Sequence, residues 1–109
     1  MDDLAREYYR AIDEHDYDAL SDILASDFTH NRPDQTIEGR KAFIQFMREE
    51  RPETETSHEI AELFSNEDGI AVRGRLNRAD GSEWFEFVDV FGVVDGALKS
   101  LKTYARDSQ

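Results

Sequence analysis

Asp89 is the residue in this sequence with the most chemistry to explain. It sits in FEFVDVF, so in an extended chain its carboxyl shares a face with Phe85, Phe87 and Phe91. Burial among aromatic rings raises a carboxyl pKa and leaves the group able to donate a hydrogen bond. An arginine reaching it, for which Arg32 is the candidate, would instead hold it ionised. A buried acid that anchors local backbone is a third reading. Two further side chains suit proton transfer. His30, in DFTHNR, carries an imidazole that titrates near neutrality and is the best candidate general base, with a place at a pocket rim or interface as the other reading. Tyr8, on the apolar stripe of LAREYYRAIDEH, is either a core tyrosine whose hydroxyl reaches a cavity or a catalytic donor. Asp89, Tyr8 and His30 form the candidate catalytic set.

Other polar residues point elsewhere. His58, in TSHEIAE, is placed to join His30 and Asp89 across a sheet. No H-x-H or H-x-x-x-H pair occurs and cysteine is absent, so no metal centre and no cofactor are expected. His15 ends the first helix and reads as a C-terminal cap or dipole partner. Tyr9 is expected at the surface or an interface. Arg73 and Arg75 alternate outward, and cross-strand ion pairs with Glu59 and Glu86 are expected.

The elements that must position these groups follow from two periodicities. Residues 4–15 place Leu4, Tyr8, Ala11 and Ile12 on one helical face, with Asp2 or Asp3 able to cap the start. Asp16 then caps a second short helix carrying Tyr17, Leu20, Ile23 and Leu24. Residues 27–32 alternate as a short strand ending at Pro33. Gly39 opens a third helix with Phe43, Phe46 and Met47 inward, and Pro52 ends it. From there the period changes to two. Residues 56–65, 70–79, 83–94 and 97–105 read as four strands joined by NEDG, ADGS and DG turns, an antiparallel meander. The order ααβαββββ predicts one α+β domain over residues 1–109, with three helices covering one face of a curved sheet. The pocket between them is expected to be lined by Phe28, Arg32, Phe43, Met47, Phe85, Phe87, Phe91 and Tyr104. The third meander strand is partly apolar on both faces. Its Trp84, Val88 and Val90 are therefore expected on an outer sheet face covered by a second copy of the chain.

Composition narrows the partners. In 109 residues, 25 Asp and Glu stand against 13 Lys and Arg, a formal charge of −12. Such a field repels phosphate backbones and anionic leaflets, so neither nucleic acid nor membrane is an expected partner. No apolar run has the length of a span or a signal peptide, and a cytoplasmic location is expected. The acids are spread along the chain and ten of the basic residues are arginine against three lysines. That texture resembles proteins of a high-salt cytoplasm, where screening makes the repulsion tolerable.

The segments YYRAIDEHDYDALSDILASDFTHNRP, IEGRKAFIQFM and FEFVDVFGVVDGALKSLKTY, in this order, resemble the nuclear transport factor 2-like (NTF2-like) superfamily. Within it they resemble the ketosteroid isomerase and SnoaL-like polyketide cyclase branch. The resemblance implies a cone-shaped α+β fold. It also implies that Tyr8 and a protonated Asp89 polarise a ligand carbonyl, and that the isomerase's base position falls at Arg32, which cannot accept a proton. Two functions follow as expectations. One is a small-molecule enzyme or binding protein, an isomerase or cyclase, for an apolar carbonyl compound. The other is a non-catalytic dimeric accessory domain whose cavity is closed or vestigial.

Overall fold

The computed structural model describes residues 2–51 and 55–107. Helix α1 (Asp2–Asp13) buries Ala5, Tyr8, Tyr9, Ala11 and Ile12. This is a wider stripe than Leu4, Tyr8, Ala11 and Ile12, because the helix lies across the sheet and presses two adjacent rows of side chains onto it. Its outer face is held by Arg10, which bonds Glu7, Glu14 and Asp16. The helix ends in a Schellman motif. His15 takes a positive φ of 57° and donates to the Ile12 carbonyl, and Asp16 N–H donates to that of Ala11. The backbone at His15 therefore makes the cap. Asp16 also caps α2 (Tyr17–Ile23), accepting from Ala19 N–H at 3.2 Å.

Strand β1 (Leu24–Asn31) is followed by β2 (Thr36–Glu38), a three-residue edge strand absent from the sequence-based expectation. With only Ile37 buried, β2 has too little pattern to be seen. Helix α3 (Arg40–Gln45) runs into a π-helical turn (Phe46–Glu50) that buries Phe46 and Met47. Pro52, expected to end this helix, lies outside the described residues. Strands β3 (Ser57–Ser65), β4 (Gly69–Asn77), β5 (Glu83–Val94) and β6 (Ala97–Asp107) form the meander. The six-stranded sheet has the order β2-β1-β6-β5-β4-β3, and only the β1–β6 pairing is parallel. The three helices cover one face, as expected for an α+β cone. Among the described residues no helix is long and apolar enough to cross a membrane.

One bulge in β5 and one in β6 decide what reaches the inner face. Leu76 pairs with Phe85 but Asn77 with Glu83, so Trp84 is an extra residue in a bulge. The β5–β6 turn has positive φ at both central residues, Asp95 and Gly96, as a two-residue hairpin turn requires. A second bulge then leaves Lys99 unpaired, since Val93 faces Leu98 and Gly92 faces Ser100. The shift sets Thr103 directly opposite Asp89.

The closed core holds Phe28, Phe43 and Phe91, each almost wholly buried. Phe43 links its halves, with its ring centroid 4.9 Å from that of Phe28 and 6.2 Å from that of Tyr8. These three phenylalanines were expected on the pocket wall. They lie behind it, because the helices descend onto that end of the sheet and leave the opposite end open.

Candidate active site

The open end holds a cavity of about 500 Å³. Tyr8 and Ile12 of α1, His30 of β1, His58 of β3, Phe85, Phe87 and Asp89 of β5 and Thr103 of β6 line it, with Arg32, Met47, Arg51 and Trp84 toward its other walls. Of the expected pocket residues, Arg32, Met47, Phe85 and Phe87 are here. Tyr104 is not: it is 52% exposed and pairs with Val88 on the opposite side of the sheet. Trp84 is not on that outer side either. The bulge breaks the alternation that would have sent it outward, and its ring lies beside Phe85 and under the Arg78 guanidinium.

Asp89 is 5% exposed. Its Oδ2 accepts from the Tyr9 hydroxyl at 2.6 Å and its Oδ1 from the Thr103 hydroxyl, also at 2.6 Å. Burial pushes its pKa up, and the hydrogen bonds from Thr103 and Tyr9 oppose that rise without cancelling it. Arg32 does not form the pair with Asp89 considered above. Its guanidinium bonds Asp34 and lies 4.7 Å over the Phe46 ring.

The Asp89 partner on α1 is thus Tyr9, buried at 3% exposure where a surface or interface position was expected. Burial and the neighbouring Asp89 carboxylate drive the Tyr9 pKa far above the ordinary phenol value. Tyr8 points the other way around the helix and lines the cavity. Among the described residues its hydroxyl has no hydrogen-bond partner, and burial keeps it protonated. It is therefore a donor available to a ligand.

His30 meets Thr103 through Nε2, 2.8 Å from the hydroxyl oxygen. Thr103 has one proton. While Asp89 is ionised that proton goes to Oδ1, so Thr103 must accept from His30 Nε2–H, leaving the lone pair on Nδ1. Nδ1 is buried and has no partner among the described residues. A proton there would be a charge in an apolar wall, and burial lowers the His30 pKa to about 3, with Arg32 adding to the fall. Both ring nitrogens are thereby withdrawn from a ligand.

His58 is set differently. Its Nδ1 lies 2.6 Å from Asp13 Oδ1, and its backbone N–H donates to Asp13 Oδ2 at 2.9 Å. Its ring packs near Tyr9 and Phe87. Arg51 donates to the Met47 carbonyl at 3.0 Å, which places a cation at the edge of the cavity.

Sequence reasoning missed Tyr9, Thr103 and the Asp13–His58 contact as parts of the site. The first was readable: Ala5, Tyr9 and Ile12 recur at helical spacing as well as the chosen stripe does. The second was hidden by the Lys99 bulge, because an unbroken hairpin from Asp95-Gly96 would set Lys102 opposite Asp89.

Solved structures with this architecture are numerous. One is an NTF2-like protein of unknown function from Cytophaga hutchinsonii, with a TM-score of 0.82 at 19% identity over 95% of this chain and 88% of that one. A candidate ketosteroid isomerase from Kribbella flavida superposes with a TM-score of 0.85 at 22% identity, over 97% of this chain and 77% of that one. A candidate polyketide cyclase from Sinorhizobium meliloti gives 0.81 at 23% identity, over 94% of each. These likenesses establish the NTF2-like fold. Among curated proteins no relative matches. The model of the SnoaL-like domain family matches residues 5–101, nearly the whole of the helices and sheet just described, and the chain belongs to that family.

Proposed function

We propose that this domain binds an apolar carbonyl compound in its cone and moves a proton on it, as an isomerase or cyclase does. The observation that carries the reading is an open cavity with Asp89 on its wall, buried, raised in pKa and without an arginine partner. A carbonyl oxygen there meets the Tyr8 hydroxyl, and Asp89 adds a second donor whenever it is protonated. Both favour the oxyanion over the neutral ketone, which is the differential interaction that lowers a barrier to enolisation. The other expectation, a cavity closed by phenylalanines, is not favoured by a volume of about 500 Å³ that Phe28 and Phe43 do not enter.

Trp84, the sole tryptophan, lines this cavity and so reports its occupancy. Titration with β-naphthol, a planar mimic of an aromatic enol, is expected to move the single indole N–H signal. Tyr8→Phe should weaken binding about tenfold, the worth of one hydrogen bond. In heavy water, β-tetralone should exchange its α-hydrogens faster with the protein than with buffer. An unmoved indole signal together with buffer-rate exchange would end the proposal.

The same reading includes a homodimer through the outer sheet face, now without Trp84. Val90 is 43% exposed there, beside Val88 and Tyr104. At the paired positions of β3 to β6 on this face, Arg73, Arg75, Lys102 and Arg106 stand against Glu59, Glu62, Glu83 and Glu86. Four cations and four anions make this part of the face neutral on a chain of charge −12, so two copies meet here with the least repulsion. A high-salt cytoplasm as the working environment belongs to this proposal as well, on the spread of acids over the chain.

A further inference from the structure

We propose that His58, held by Asp13, is the base of the cavity. The inference rests on the reading that the ligand is an enolisable carbonyl compound, and it supplies the proton acceptor which that reading lacks. Asp13 is the last residue of α1, and both of its oxygens are spent on His58, one on the backbone N–H and one on Nδ1. An ionised carboxylate can only accept, so in the neutral imidazole the Nδ1 carries the proton and Nε2 carries the lone pair. Nε2 is at the far end of the ring from Asp13, His58 lines the cavity, and Nε2 has no hydrogen-bond partner among the described residues. His30 is the reverse case on the opposite wall, with Nε2 engaged by Thr103 and Nδ1 shut away. Of the two histidines lining the cavity, only His58 offers it a lone pair.

The step balances within the cavity. His58 Nε2 takes a proton from the carbon next to the carbonyl. The electron pair of that C–H bond becomes the enolate, whose oxygen is held by Tyr8 and by Asp89 when protonated. The imidazolium is neutralised by Asp13, and its Nε2–H returns the proton to carbon. The charged and titratable groups around His58 are Asp13 and Tyr9 from α1, Asp89 from β5 and, in the same cavity, Arg51. A planar compound with an aromatic or alicyclic body and an acidic α-hydrogen fits the apolar Ile12, Phe85 and Phe87 walls between these poles.

Bromomethyl naphthyl ketone tests the base by alkylation. The Nε2 lone pair forms an N–C bond, the C–Br bond breaks, and bromide leaves with its electron pair. Peptide mapping is expected to find the adduct on His58 and to lose it in His58→Gln. Asp13→Asn should slow labelling at least about tenfold, since the new amide donates to Nδ1 and moves the proton to Nε2. Its carbonyl still accepts from the His58 N–H, so the fold is kept, and ring-nitrogen chemical shifts should show the exchanged tautomer. If either variant fails to fold, the wild-type map decides. Adduct on another residue, or unchanged rate and tautomer in Asp13→Asn, overturns the assignment. If β-naphthol still moves the Trp84 signal in that case, the ligand class stands and only the base is wrong. If neither compound enters the cavity, both readings fall.

Discussion

The Tyr9 hydroxyl donates to Asp89 Oδ2 at 2.6 Å, joining residues eighty positions apart and pinning the first helix to the centre of the sheet. Its neighbour Tyr8 faces the cavity instead. Adjacent tyrosines therefore divide the work, one holding the acid and one left for the ligand.

Removing the two hydroxyls should separate these roles. Tyr9→Phe leaves a buried carboxyl oxygen without its donor and is expected to cost about 1–3 kcal/mol in urea unfolding. Tyr8→Phe removes a hydroxyl that bonds no described residue and should cost well under about 1 kcal/mol, while weakening β-naphthol. Equal stability losses in the two variants would contradict the division.

His30 should make the fold sensitive to mild acid. Its pKa falls from 6.5 unfolded to about 3 folded, so between these values the unfolded chain binds the extra proton. Stability from this group is complete above the unfolded value and is lost as pH falls toward the folded one. Asp89 works oppositely, since a raised carboxyl pKa favours the fold as pH drops toward 3.8. Comparison with His30→Gln, which can still donate to Thr103, isolates the imidazole. The stability of wild type relative to the variant should fall by about 2 kcal/mol between about pH 7 and about pH 5. A difference that does not change with pH would mean His30 accepts a proton in the native state.

The placement of Asp89 among phenylalanines followed from strict alternation, and strict alternation holds along that stretch of β5. The same rule misplaced Trp84, because a bulge is one residue of backbone with no hydrophobic signature of its own. Phe28, Phe43 and Phe91 were correctly read as inward. Inward, however, does not separate a filled end of the cone from an empty one, which depends on how far α1 and α3 extend over the sheet. His58 and Asp13 are 45 positions apart, and their contact depends on where the end of α1 meets β3. No local pattern carries that information.

Salt should stabilise the protein. The chain has charge −12, and the ion pairs at its surface, such as Arg73–Glu62 and Arg75–Glu59, are exposed and so worth little. Screening then removes more repulsion than attraction. Molar KCl is the informative salt, because sulfate would strengthen apolar burial in any protein. A gain of about 1 kcal/mol would raise Tm by roughly 4–8 °C for a domain of this size. A Tm that falls with KCl would remove the high-salt reading.

The outer sheet face should carry the contact between two copies. If two copies meet there, Val90 is at the contact, and a charge at that position is buried in the interface. Val90→Glu and Val90→Lys each bury one such charge per copy. Both should shift sedimentation from dimer to monomer, because hydrophobic loss and the cost of burying an unpaired charge act in the same direction. Val94→Lys is the control: Val94 is 52% exposed and lies at the β5–β6 turn, away from the centre of the face. Its substitution should leave the dimer intact. A wild-type protein that sediments as a monomer at high concentration and high salt would dismiss the interface, and the near-neutral charge of this face would need another explanation.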